Sequence, residues 1–413
     1  MTESPKPCKP PIVALTPGDV AGIGPEVIAR SLAARMSPLS PLSSPLSSPV
    51  LLIGPPQIYH RAATLAGLNL EFQPLSSLPR SIDDLRKLLT TLSSTNAGSC
   101  STNIWHCWDP TDPSVLNAPP CKVSAAAGDA AFKCLSSAIS LARSGLVDAI
   151  CTAPLNKESL HLAGHDFPGH TEILADQCGV PQFAMMLHLP AARLLPLRQL
   201  IQQTSSSAPA NSSAPANPDA ATSFPVTSVT NQEHGLSIAH VTLHTSIASV
   251  PKLLSVDNIQ EKIVLLDHFL KSIGCQRRAI GVAALNPHGG ENGLFGDEEA
   301  RLIRPAVERA KAANCNAAGP LPVDTLIRRA VLGEFDGVVA MYHDQGHIPV
   351  KLIGFDAAVN ITLGLPIVRT SPTHGTAFDR AWNAATPADP SGMMESIRMA
   401  TILALSHRHH ATK

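Results

Sequence analysis

Gly337-Val-Val-Ala-Met-Tyr342 runs as an unbroken, mostly apolar segment straight into His343-Asp-Gln-Gly-His-Ile-Pro-Val-Lys351. A short apolar run closed by a polar motif reads as a buried strand whose last residues reach a sheet edge. Ala279-Ile-Gly-Val-Ala-Ala-Leu285 repeats the pattern and leads into Asn286-Pro-His288. Residues 183–189 and 236–244 also read as strands, and the second ends on His244. Residues 256–273 and 297–313 carry helical periodicity. Towards the N-terminus the same alternation continues: strands over 11–16, 50–54 and 148–153, helices over 25–32 and 127–144. Strands alternating with helices place the chain in the α/β class, with a mostly parallel or mixed sheet. In open α/β sheets ligands bind beyond the carboxyl ends of the strands. His244, His288 and His343, far apart in sequence, are thereby predicted to share one edge.

The 413 residues suffice for two domains of ordinary size, and 44% hydrophobic against 15% charged residues allows a large core. Lys plus Arg number 31 against 32 Asp plus Glu, and basic residues form no stripe, which argues against nucleic acid as a partner. No apolar run approaches a membrane span, and Met1-Thr-Glu-Ser-Pro-Lys-Pro-Cys8 lacks a signal-peptide core. A soluble, cytoplasmic protein is expected. The nine cysteines are scattered and never spaced Cys-x-x-Cys, so reduced thiols are expected rather than a disulfide frame or a zinc knot. Residues 37–49, 92–103 and 203–232 are low in complexity and read as insertions.

Three imidazoles with an open position form the donor set of a catalytic metal site. Taken alone, each histidine reads equally as an ordinary hydrogen-bonded side chain. Asp344 is open to three roles: orienting a histidine ligand, binding metal itself, or acting as general base; a plain turn aspartate is the competing reading. Pro168-Gly-His170-Thr171-Glu172 precedes a helix. A His and a Thr at a helix start can bind phosphate through side chains, free N–H groups and the dipole, or merely cap the helix. Lys351, Asn360 and Arg369 are polar residues among apolar flanks, suited to phosphate and carboxylate. Gly22-Ile-Gly24 lacks the third glycine of a dinucleotide fingerprint, so no Rossmann site is placed there. The basic tail Ser406-His-Arg-His-His410 reads as solvated.

Six blocks together resemble the 4-hydroxythreonine-4-phosphate dehydrogenases of pyridoxine biosynthesis (the PdxA type). The wording Glu291-Asn-Gly-Leu-Phe-Gly296 and His347-Ile-Pro-Val350 is similar to the branch acting on four-carbon sugar-acid phosphates such as 4-phosphothreonate or 4-phosphoerythronate. The blocks are Gly18-Asp-Val-Ala-Gly-Ile-Gly-Pro-Glu26, Thr152-Ala-Pro-Leu-Asn-Lys157, Gly169-His-Thr-Glu172, Asn286-Pro-His288, His343-Asp-Gln-Gly346 and Asn360-Ile-Thr-Leu-Gly-Leu-Pro366. The resemblance covers about residues 11 to 402, with Val20 and Val323 as departures.

It implies an isocitrate/isopropylmalate-dehydrogenase-like fold: two α/β/α subdomains with a cleft between them. The expected boundaries are 8–148 plus 366–413 for the first and 149–365 for the second. It also implies one divalent metal (Zn, Mg, Mn or Co) on His244, His288 and His343. Substrate would be held by His170, Thr171, Lys351, Asn360 and Arg369. Asp344 and Lys157 are the candidate bases. NAD or NADP would accept hydride as a small phosphorylated hydroxy acid is oxidised and decarboxylated, in a homodimer with the site at the interface. A phosphate acyltransferase-like enzyme and a non-catalytic phosphometabolite-binding protein on the same scaffold are the competing readings.

Overall fold

Ile12, Val13, Ala14 and Leu15 are each fully buried, as are Leu51, Leu52 and Ile53. Strands covered on both faces read as continuous apolar runs, which is how parallel sheets under helices differ from half-solvated hairpins. The computed structural model of the protein describes residues 9–36, 48–91, 104–206 and 234–411, and divides the chain into two units, 1–181 with 365–413, and 182–364.

The first unit begins β1 (Val13–Thr16), α1 (Gly24–Met36), β2 (Val50–Ile53), α2 (Pro56–Leu65), β3 (Glu71–Pro74) and α3 (Ile82–Thr91). It continues with β4 (Ile104–Trp108), α4 (Ala125–Arg143), β5 (Ala149–Thr152), α5 (Lys157–Leu162) and α6 (His170–Cys178). The second unit holds β6 (Ala184–Leu189), α7 (Ala191–Ser206), β7 (Leu236–His240), α8 (Val250–Leu253), α9 (Val256–Ser272) and β8 (Ile280–Ala283). After these come α10 (Arg304–Ala312), β9 (Ala317–Leu321), α11 (Val323–Val331), β10 (Gly337–Ala340), α12 (His343–Gly354) and β11 (Val359–Leu363). The chain then returns to the first unit with β12 (Val368–Pro372) and α13 (Ser391–Ala411).

In the first unit the order is β3-β4-β2-β1-β5-β12, all parallel. In the second it is β11-β6-β7-β10-β8-β9. There β11 and β6, and β6 and β7, pair antiparallel, whereas β7, β10, β8 and β9 run parallel. Each unit has its own apolar core, one built around Ile12, Leu51, Leu135 and Ile150, the other around Leu187, Ile238, Leu326 and Val338. Ser255 and Asn258 close a capping box on α9, satisfying two backbone N–H groups that the helix start leaves over.

Several expectations shift. Residues 149–181, predicted to open the second subdomain, belong to the first unit, because β5 is hydrogen-bonded between β1 and β12. The 236–244 strand stops at His240, leaving His244 in the turn that follows. The 297–313 helix begins with a π-helical turn over Glu299–Ile303 before α10. Of the predicted insertions, 48–49 and 203–206 are ordered parts of the fold, and the helix α7 was not anticipated. The remainder of those insertions, 37–47, 92–103 and 207–232, lies outside the described residues. No helix among the described residues is long and apolar enough to cross a membrane.

Candidate active site

The second unit brings its histidines to one edge through parallel register. Gly337 of β10 lies opposite Ser237 of β7 and Ile280 of β8, so these three neighbouring strands point the same way. His244 follows β7, His288 follows β8, and His343 is the first residue of α12, just beyond β10. Gln345 ties two of these ends together. Its Oε1 accepts from Met341 N at 2.8 Å and its Nε2 donates to the Ala284 carbonyl at 2.9 Å. Buried Glu299 holds the start of the His288 loop, Oε1 accepting from the backbone of Leu285 and Asn286 at 2.9 and 2.8 Å.

The rings of His244 and His343 lie 6.1 Å apart between centroids. They share a cavity of about 340 Å³ lined also by Leu243, Ile247, Tyr342 and Asp344. His343 Nδ1 donates to Asp344 Oδ1 at 2.7 Å, which leaves Nε2 as the lone-pair nitrogen. Two convergent imidazoles, one oriented by a carboxylate, suit a divalent cation. His288 does not line that cavity, and among the described residues no three His, Cys, Asp or Glu side chains are grouped to hold a metal ion. Residues His288 to Asn292 all have φ between 44 and 79°, a left-handed run that three non-glycine side chains adopt only under strain.

Two residues that the sequence reading gave no role in the site stand behind His343. His347, one turn along α12, stacks on it with centroids 3.6 Å apart and planes 9° from parallel. His347 Nδ1 is in turn 3.2 Å from Nε2 of His240, the last residue of β7. Burial pushes His240 down to about 3 and His347 to about 4, and the neighbouring imidazoles add to both shifts. Both rings are therefore neutral. The i, i+4 spacing of His343 and His347 was visible in the sequence as one helix face; His240 carried no local signal.

Lys351 is exposed on α12, its ammonium 6.0 Å above the Phe355 ring. Asn360 sits half-buried on β11, and its Oδ1 is buried without a hydrogen-bond partner among the described residues, as an acceptor awaiting a polar group would be.

The remaining predicted site residues belong to the first unit. Arg369 on β12 is 2% exposed and donates from Nη2 to Thr152 Oγ1, at the end of β5, at 2.8 Å. Burial lowers its guanidinium to about 10, against the opposing charges of Cys151 and Glu172. His170 opens α6, and its pKa is held well below the ordinary value, first by burial and then by the Arg369 charge. Thr171 follows it, half-buried. Lys157 opens α5, exposed, and its Cε lies 3.9 Å from where a Cβ on Gly169 would stand. Lys157, His170, Thr171 and Arg369 thus gather around the start of α6, where N–H groups and the dipole favour an anion. The Gly18–Gly24 loop shows a packing role instead. A Cβ on Gly22 would meet the Thr376 carbonyl at 2.8 Å, and Ile23 N donates to that carbonyl at 3.0 Å.

Comparison with known proteins shows which family the chain belongs to. The family model for the pyridoxal phosphate biosynthetic protein PdxA matches residues 46–205 and 219–400. The chain is 39% identical to a D-threonate 4-phosphate dehydrogenase of Pectobacterium atrosepticum, over 95% of this chain and 99% of the relative. It is 36% identical to a 4-hydroxythreonine-4-phosphate dehydrogenase of Beijerinckia indica, over 95% and 94%. Among solved structures, a 4-hydroxythreonine-4-phosphate dehydrogenase from Klebsiella pneumoniae superimposes with a TM-score of 0.71 at 36% identity, covering 97% of this chain and 99% of that one. With the expected α/β fold and the matching motifs in place, the chain belongs to the PdxA family.

Proposed function

We propose that the protein is a dehydrogenase of a phosphorylated four-carbon hydroxy acid, with D-threonate 4-phosphate favoured over 4-hydroxythreonine 4-phosphate. The observation that carries this reading is the His244–His343 pair with its orienting Asp344, at the carboxyl edge of β7 and β10. Relatives of that name over nearly the full length support the substrate class.

In this reading His244 and His343 would hold a divalent cation; His288, the third histidine of the expected set, does not line their cavity. The cation, when bound, acidifies and orients the hydroxyl that is to be oxidised. In the first unit Arg369, His170 and Thr171 would bind a phosphate at the start of α6; in the second, Lys351 and Asn360 would bind polar or anionic groups. Lys157 or Asp344 takes the hydroxyl proton. NAD or NADP, when bound, would supply the acceptor for the hydride released from the oxidised carbon. The resulting β-keto acid loses carbon dioxide, and the remaining enol is reprotonated.

A homodimer is part of the proposal. Ile348, Leu352 and Phe355 line one face of α12 and are 61%, 86% and 54% exposed. Such a stripe on a helix is apolar surface that a second copy would cover, next to Lys351.

The test is reduction of NAD and of NADP by the purified protein with each of the two phosphorylated substrates, before and after chelation. Faster turnover of the threonate, abolished by chelator and restored by a divalent cation, is the expected result. Full activity in metal-stripped protein removes the cation from the reading, and no turnover of either substrate removes the reading itself.

A further inference from the structure

We propose that His347, anchored by His240, is a positioning residue that fixes the plane of the His343 imidazole. The inference rests on the reading of His343 as a cation ligand and adds two residues to it.

The hydrogen-bond chain admits one consistent assignment of protons. His240 Nδ1 lies 3.3 Å from the Met185 carbonyl, which only accepts, so that nitrogen carries the hydrogen. His240 Nε2 is then an acceptor, and His347 Nδ1, 3.2 Å away, is its donor. The same N–H lies 3.2 Å from the His343 carbonyl, so it is shared between the two. The backbone of β6 thereby sets the tautomer of His240, which sets that of His347. His347 is 7% exposed and His240 1%, so neither ring has solvent to turn into. Gly346 lets the helix press on this pair. A Cβ there would overlap His240 Nε2 and stand 2.9 Å from Ile238 Cγ2.

His343 is 35% exposed at its side chain, and apart from His347 its hydrogen-bond restraint among the described residues is Asp344. One hydrogen bond at Nδ1 fixes the tautomer but leaves the ring free to swing about it. A flat ring stacked at 3.6 Å removes that freedom. Asp344 thus selects which nitrogen presents its lone pair, and His347 selects the direction in which it points. Preorganised ligands bind with less ordering cost.

The experiment uses Co²⁺ alone as probe, on the full-length protein and two variants. H347L fills the space without a flat face; H347F keeps the flat face without the bond to His240. Co²⁺ affinity is measured by calorimetry, with the visible absorption bands reporting ligand geometry. Independently of any cation, long-range ¹⁵N–¹H spectra of histidine-labelled apo-protein report the His343 ring. The expected result is a loss of about 10- to 100-fold in Co²⁺ affinity with altered bands in H347L, the range typical of residues supporting a ligand. H347F recovers most of it. His343 keeps the tautomer selected by Asp344 in both proteins, while its ring resonances are sharp in wild type and broadened in H347L as the ring swings about that bond. Wild-type affinity, bands and His343 resonances in H347L would overturn the proposal. If wild type fails to bind Co²⁺, the cation reading falls, while the apo-protein spectra still decide whether His347 holds the ring.

Discussion

Gly346→Ala tests the packing that supports His343. Gly346 lies in α12, where alanine is ordinarily preferred by about 1 kcal/mol. Here the added methyl would overlap His240 Nε2 and stand 3.0 Å from His240 Cε1 and 2.9 Å from Ile238 Cγ2. His240 cannot retreat without giving up His347 and the Met185 carbonyl. Overpacking of this kind costs about 1–3 kcal/mol, and breaking the buried hydrogen bonds adds about 1–3 kcal/mol. Set against the helix gain, the expected net loss is about 3 kcal/mol. Hydrogen exchange read on peptides spanning α12 and β7 should then accelerate by roughly 100-fold if opening of this region is rate-determining. A double-mutant cycle with His240→Ala removes the struck ring, so the two losses should be less than additive by about 1–3 kcal/mol. A Gly346→Ala protein whose α12 exchanges at or below the wild-type rate would refute the reasoning, and strict additivity would place the clash elsewhere.

Three other outcomes follow from the structure. Arg369→Lys should raise KM for the phosphorylated substrate roughly tenfold or more while kcat changes less, since a buried fork is replaced by a point charge; steady-state kinetics with an unchanged KM would remove Arg369 from phosphate binding. His106 on β4 is buried and neither ring nitrogen has a hydrogen-bond partner among the described residues, and burial holds its pKa below 6.5. The unfolded chain therefore binds the proton first, and the His106 contribution is present above pH 6.5 and lost as pH falls towards the folded value. His106→Phe should flatten the fall in urea stability between about pH 7.5 and about pH 5.5, by up to about 1.4 kcal/mol per pH unit; parallel curves for the two proteins would contradict it. Leu352→Glu, at an 86% exposed position, should leave the monomer fold intact and shift sedimentation from dimer to monomer; an unaltered dimer would show that the α12 stripe is not its interface.

Much of the fold was legible as punctuation. The buried parallel strands stand out as short apolar runs because both faces are covered, and the segments after β8 and β10 carry Asn286-Pro-His288 and His343-Asp344 as polar words at their ends. The antiparallel placement of β6 between β11 and β7 was less visible, since pairing direction leaves no mark on composition. Residues 149–181 went to the other unit for the same reason: nothing local in Ala149–Thr152 says that its partners are β1 and β12.

The candidate site divides along the same line. Residue type and position after a strand suffice to nominate His244 and His343, because parallel sheets present such side chains at one edge, while a helix start nominates His170 and apolar flanks nominate Arg369. Which of them meet is a matter of long-range register. The sequence alone determined the class of the fold and the chemical inventory; only the tertiary structure decided that His244 and His343 converge while His288 stands on a left-handed loop, and that His347 stacks on His343 with His240 behind it. The physical reason is that hydrophobic periodicity is a local property of the chain, whereas the distance between two imidazoles is set by every strand and turn packed between them.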